Sequence, residues 1–169
     1  MPINSRPDIH ELVICANVFV TQGSNILMLR RSPKKTFLPG YVQPIGGKVN
    51  LDEDPLTSVK RELMEEAQIE IKNLQLKGVV TEIKSKEDEM YPTNWQIFQF
   101  VGEYDGTNLG ETKEGKLVWL TVEELKHEKL ADSIASILDI LLDPQKGIVF
   151  ARYVYGKNNK IIEKNIQLA

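Results

Sequence analysis

From residue 11 onward, apolar runs alternate with polar, turn-forming clusters. "ELVICANVFV" and "ILMLRRS" flank "TQGSN", so residues 11–31 predict a strand, a turn and a second strand. The next segment, "SPKKTFLPGYVQPIGGKV", holds three prolines and three glycines and predicts irregular backbone around a short strand near Tyr41 and Val42. Leu56, Val59, Leu63 and Ala67 then recur at helical spacing. Asp54 and Pro55 mark that helix's start, an N-cap acceptor followed by a proline whose missing N–H costs nothing at the first helical position. "IEIKNLQLKGVVTEI" and "WQIFQFVGEY" have strand composition and are separated by the polar loop "KSKEDEMYPTN". "GKLVWLTVEEL" predicts a further strand entering a short helix, and Ile134, Ile137, Leu138 and Leu141 give "DSIASILDILLD" helical spacing. "GIVFARYVYGKNNKIIEKNIQ" predicts a closing hairpin that turns around Gly156 to Asn159.

Strands interleaved with two main helices predict an α/β domain with a mixed sheet between helical layers. The 169 residues, 41% of them hydrophobic, suffice for one ordinary core, so a single domain is expected, with its core at about 11–145 and the hairpin at about 147–169 as an extension. That hairpin is able to extend the sheet or to pair two subunits as a homodimer.

Charge narrows the partners. With 21 Lys and Arg against 24 Asp and Glu, the net charge is −3, which gives no field for holding a nucleic-acid polymer. No run approaches the roughly 20 apolar residues needed to span a bilayer, and the N-terminus lacks the basic-then-apolar order of a signal peptide, so the expectation is a cytoplasmic protein with no membrane contact. The single cysteine, Cys15, lies in an apolar run and reads as a small buried hydrophobe. His10 and His127 have no partners at metal-ligand spacing.

The helix after Asp54 carries the chemistry. At about 100° per residue its apolar stripe occupies one side while Glu62, Glu65 and Glu66 share the other, away from the core. A solvated charged face is the ordinary explanation of such a pattern. Here, however, like charges at i, i+3 and i, i+4 cost roughly 0.2 to 0.5 kcal/mol per pair, and the helix dipole disfavours anions near its C-terminus by about 0.3 to 1 kcal/mol. Arg61 is expected to neutralise one carboxylate at most, which leaves a divalent cation as the natural compensation. Clustered hard oxygen ligands suit Mg²⁺ or Mn²⁺, which bind few carboxylates and complete their shell with water and substrate phosphates.

Gly47, Glu53, Arg61-Glu62-Leu63, Glu65-Glu66 and Ile69 stand at a spacing that resembles the Nudix box of the MutT/Nudix hydrolases, matching eight of its nine fixed positions. Gln68 occupies the position where that family usually has glycine, just past the helix; in a left-handed conformation glutamine costs about 1 kcal/mol more. The resemblance implies an α/β/α sandwich and metal-assisted attack of water on a phosphorus of a nucleoside diphosphate linked to another group X. It also implies that Glu62, Glu65 and Glu66, with Gly47, form the metal site, that Glu53 lies beside them in contact with Arg61, and that Arg61 orients the acids. Gly46 and Gly47 fit a close backbone approach to phosphates and metal, which a β-carbon would obstruct. Arg31 and Lys48 resemble family positions that meet phosphate, and each reads equally as a solvated surface cation. A further acid, as ligand or general base, is expected from downstream, with Glu114 preferred over Glu111 and Glu103.

The small chain and the "PIGGKV" approach resemble the nucleoside triphosphate pyrophosphohydrolases that remove oxidised nucleotides such as 8-oxo-dGTP and release pyrophosphate. Gln43 stands where that subgroup contacts the base, and an amide both donates and accepts, as a purine edge requires. Asp132 is a second candidate reader of the base, although capping a helix explains it as well. Trp95 and Tyr91 are candidates for base stacking, against the ordinary role of core aromatics. ADP-ribose, nucleotide sugars and dinucleoside polyphosphates carry the same scissile bond and stay open as substrates. So does a nucleotide sensor of this fold without catalysis, although the presence of Glu53, Glu62, Glu65 and Glu66 argues against it.

Overall fold

A computed structural model describes residues 9–84 and 93–169; Tyr91 and most of the polar loop around it lie outside these. β1 (Val13–Gln22) and β2 (Asn25–Arg31) form the expected hairpin, with Gly23 taking the left-handed turn position at φ +59. β3 (Val42–Gln43) falls where a short strand is predicted. β4 (Ile45–Lys48) is an addition: the Gly46-Gly47 backbone pairs antiparallel with Cys15 to Val18 of β1, so tertiary pairing overrides weak strand propensity. β5 (Lys72–Lys84), β6 (Trp95–Glu103) and β7 (Gly115–Thr121) follow, then β8 (Val149–Tyr155) and β9 (Ile161–Leu168) of the closing hairpin.

The sheet runs β3-β2-β1-β6-β5-β8-β9, with β4 added on β1 and β7 on β2. β1 with β6 and β5 with β8 are parallel; the other pairs are antiparallel, which makes the sheet mixed as predicted. The closing hairpin extends this sheet, with Val149, Ala151, Tyr153 and Tyr155 buried in the core.

Alternation along β1 sends its residues to two different cores. Ala16, Val18 and Val20 pack with Leu27, Ile45 and the helix α1 (Pro55–Glu66) on one face. Phe19 faces the other side, where α2 (Val122–Leu125), α3 (Asp132–Ala135) and α4 (Leu138–Leu142) pack with β8. Helices therefore cover both faces. The helical pattern of residues 132–143 is divided into two short helices instead of one. Ser136, between them, bonds through Oγ to the Ser133 carbonyl (3.1 Å) and to the Tyr153 hydroxyl (2.6 Å), side-chain bonds that compete with a continuous helix.

Asp54 caps α1 as predicted, accepting from the amides of Leu56 (2.8 Å) and Thr57 (3.0 Å). Of the apolar stripe, Val59, Leu63 and Ala67 are buried, whereas Leu56, in the first turn beyond the edge of the core, is 40% exposed. The helix ends with Gln68 left-handed at φ +55, so the glutamine accepts the strain that glycine would avoid. Its side chain lies across Gly110, whose amide bonds the Ala67 carbonyl at 2.6 Å; a β-carbon on Gly110 would come within 2.5 to 2.7 Å of the Gln68 side chain.

This reciprocal fit sets a coupling. Gly110→Ala should cost about 1–3 kcal/mol in urea unfolding, and the cost should shrink by roughly 1 kcal/mol when Gln68→Gly is already present. Strict additivity of the two changes would show that the side chain does not depend on the bare glycine.

Candidate active site

α1 packs against β4, so Glu62 and Glu66 of its acidic face meet backbone while Glu65 stays largely solvated. Glu66 is 7% exposed, and its Oε2 accepts from the Gly46 amide at 3.3 Å. The Glu62 side chain is 13% exposed and that of Glu65 59%. A β-carbon on Gly47 would stand 2.5 Å from Glu62 Oε1. The paired glycines thus form the thinnest wall a protein backbone can offer in front of two carboxylates.

Arg61 bonds three acids, although its single charge neutralises one at most. Its Nε and Nη2 grip both oxygens of Glu53 (3.0 and 2.6 Å), while Nη1 reaches Glu62 Oε1 (2.8 Å) and Glu65 Oε2 (3.2 Å). Nη2 also reaches the Lys48 carbonyl at 3.1 Å and so ties the helix to β4. A planar fork with five N–H groups can serve several acceptors at once, although it brings only one positive charge. Glu53 accepts in addition from the Asn50 amide at 2.8 Å.

These contacts separate the acids electrostatically. The Arg61 guanidinium, then the Asn50 amide, hold Glu53 down to about 2. Burial raises Glu62 despite its bond to Arg61. Burial, then the charge of Glu62, push Glu66 up to about 7, with Glu114 adding to the rise and the Gly46 amide and Arg31 opposing it. The deepest acid is therefore poised between its protonated and charged forms near neutrality.

Among the described residues, no three Asp, Glu, His or Cys side chains converge as a ready metal cluster: Glu62 and Glu65 turn to Arg61, and Glu66 to Gly46. The donor set nevertheless suits a hard divalent cation, since it consists of carboxylate oxygens beside bare backbone, with more negative charge than one guanidinium offsets.

On the other side of the glycine wall lies a cavity of about 760 Å³. Arg31, Gln43, Gly46, Gly47, Lys48 and Asp132 all line it, so the structure gathers these predicted positions. Arg31 donates through Nε to the Phe37 carbonyl at 3.0 Å and through Nη1 to Gln43 Oε1 at 3.5 Å. Lys48 stands over the Trp95 ring at 5.8 Å, and Trp95 also faces the cavity. Asp132 does not cap its helix; Ala131 occupies the cap without a side-chain bond, which leaves Asp132 in the first turn at the cavity edge. Cys15 is half-buried in the cavity wall, and burial raises its thiol to about 12. Glu114 does not line the cavity: it pairs with Lys35 at 2.7 Å and influences Glu66 only through its charge. Glu103 lies at the end of β6, accepting from Asn73 at 3.1 Å.

The sequence reading missed the floor and far wall of the cavity. Asn17 and Gln99 from β1 and β6, Glu82 and Lys84 from β5, and Asn158 to Lys160 at the hairpin turn all contribute. Ser133 and Tyr155 donate to Glu82 Oε1 at 2.5 and 3.3 Å, and Lys84 donates to Asn159 Oδ1 at 2.6 Å. Polar residues inside apolar strands, Asn17 in "CANVFV" and Gln99 in "IFQFV", were the available signal.

The NUDIX domain model matches residues 10–140. An uncharacterised Nudix hydrolase, YvcI, of Bacillus subtilis strain 168 is 35% identical over 137 residues, covering 80% of this chain and 83% of its own. A MutT protein from Bacillus halodurans superposes with a TM-score of 0.77 over 92% of this chain and 98% of its own, at 23% identity. The NUDIX domain of Shewanella oneidensis NrtR, solved with ADP ribose, superposes with a TM-score of 0.62 over 81% of this chain and 91% of its own, at 14% identity. Among the described residues, no helix is long and apolar enough to cross a membrane.

The raised acids set the sign of the pH response. A carboxyl that ionises near 4.5 when unfolded and near 7 when folded binds more protons in the native state between those values. Its contribution to stability is complete below about pH 4.5 and is lost as pH rises through about 7. Without metal, the melting temperature should therefore fall across roughly pH 5 to 8, and Glu66→Gln should flatten the fall. An unchanged slope in the variant would remove Glu66 as its source.

Proposed function

Because the chain belongs to the Nudix family of hydrolases, which act on phosphoric anhydride bonds, we propose that it directs water onto the pyrophosphate of a nucleoside triphosphate, releasing the monophosphate and pyrophosphate. One observation carries this reading: half-buried Glu62 and buried Glu66 stand behind Gly46 and Gly47, which also line a cavity large enough for a nucleotide. A phosphate chain laid along those glycines would come within reach of the acids, with the rest of the ligand in the cavity.

Glu62, Glu65, Glu66 and the Gly47 carbonyl would hold Mg²⁺ or Mn²⁺. Such ions, when bound, neutralise the diphosphate, polarise its oxygens and lower the pKa of the attacking water. The chain's own groups do the rest. Glu53, ionised at all ordinary pH, fixes Arg61; Arg61 in turn orients Glu62 and Glu65. Arg31 and Lys48, which both line the cavity, supply positive charge suited to the β- and γ-phosphates. Glu114, close enough to perturb Glu66, is the proposed extra acid for taking the proton from water. Gln43 and Asp132 would contact the nucleoside, and Trp95 offers an aromatic face.

A second reading draws on the far wall. Lys84, Asn158, Asn159 and Lys160 extend the polar lining well beyond the glycines, which suits a second polar group on X, as in ADP-ribose, a nucleotide sugar or a dinucleoside polyphosphate. The two readings yield different products. A panel of nucleoside diphosphate derivatives with Mg²⁺ or Mn²⁺ should release pyrophosphate under the first and a sugar phosphate or second nucleotide under the second.

Glu65→Gln should reduce metal-dependent turnover by at least about a hundredfold while leaving the melting temperature nearly unchanged, because this side chain is mostly solvated. Turnover at the wild-type rate would take Glu65 out of the reaction.

A further inference from the structure

Gln99 sits in the middle of β6, beside Asn17 of β1 and opposite Gly78 of β5. It is 1% exposed and lines the floor of the cavity. Among the described residues, its Oε1 is the one buried side-chain polar atom without a hydrogen-bond partner. Leaving a buried carbonyl oxygen unpaired costs roughly 1–3 kcal/mol, which an apolar side chain in a sheet core would avoid. The surroundings are built against self-satisfaction. A β-carbon on Gly78 would stand 3.3 Å from Gln99 Cβ, so the neighbouring strand offers only bare backbone there. Farther along β5, Glu82 is engaged by Ser133 and Tyr155, and Lys84 by Asn159.

We infer that Gln99 is a specificity-determining residue whose carbonyl oxygen accepts an N–H from the heterocycle of the bound nucleotide. The inference rests on the nucleotide-hydrolase reading and deepens it. A carbonyl takes a donor and gives a lone-pair edge nothing, so the favoured ring is one presenting an amino or imino hydrogen. The phosphates are common to every triphosphate, so the groups that meet them cannot make this distinction. A polar atom left unpaired in the free protein discriminates sharply, because an analogue without the donor keeps the cost and gains nothing.

The test compares adenosine, guanosine, cytidine and uridine triphosphates with purine riboside and pyrimidin-2-one riboside triphosphates, whose rings carry no N–H. The wild-type protein should prefer the best donor-bearing substrate over its donor-free analogue by at least about tenfold in kcat/KM. Gln99→Leu should bring that ratio to about one, and, by removing an unpaired polar atom, should keep or raise the melting temperature. Gln99→Glu, which retains an acceptor, should keep the preference. Calorimetric affinities for the α,β-methylene analogues read the same ratio without turnover. Failure to hydrolyse any triphosphate would therefore sink the proposed reaction while the binding ratio still judges Gln99. A ratio near one in the wild-type protein, or one unchanged in Gln99→Leu, would overturn the inference.

Discussion

The site depends on one guanidinium being shared by several carboxylates. Arg61 spends its N–H groups on Glu53, Glu62, Glu65 and the Lys48 carbonyl, so a single side chain fastens the acidic helix to the strand in front of it. Geometry and charge separate here. The hydrogen bonds are largely satisfied, yet four acids face one guanidinium, and burial, then the charge of Glu62, push Glu66 up to about 7. The arrangement is internally bonded and electrostatically incomplete. That combination distinguishes it from a surface salt-bridge network, which would be solvated, and from a closed structural ion pair, which would be neutral.

Burial creates this condition, and glycine permits the burial. Carboxylates below side-chain-bearing strands would be sealed from any ligand. Below Gly46 and Gly47 they are covered by backbone alone, and on the far side of that backbone lies the cavity. The same strand does double duty: its amides bond β1 and Glu66, while its missing β-carbons keep the barrier thin. A substitution at either glycine would act on the sheet and on the acids together.

Local rules made much of this legible. Turn residues marked the first hairpin, Asp54 and Pro55 marked the helix start, and the glutamate spacing placed Glu62, Glu65 and Glu66 on one helical face. The helical wheel could not say what that face would meet. It placed the acids away from the core, and nothing in the residues announces that "IGGK" becomes a strand and closes over Glu62 and Glu66. The fork of Arg61 is likewise a property of the residue, but the neighbours it reaches are set by tertiary packing. Gln68 was legible as a strained position, whereas its accommodation by Gly110 depends on a loop more than forty residues away. The division of the last helical segment followed from Ser136 bonding Tyr153, another distant contact.

The cavity shows the limit most clearly. Its floor is one face of the sheet, drawn from β1, β6 and β5, and its far wall comes from the turn of the closing hairpin. Alternation within each strand says which residues share a face, yet the register between strands decides which of them become neighbours. The parallel pairing of β5 with β8 places Glu82 beside Tyr153 and Lys84 beside Tyr155, and so carries the Asn158 to Lys160 turn to the cavity mouth. The hairpin, lying beyond residue 140 where the family model ends, is thus a wall of the cavity. The acids are held within one helix and one short strand, so local sequence can specify them. The lining opposite is assembled from segments far apart in the chain, so only tertiary register brings it together.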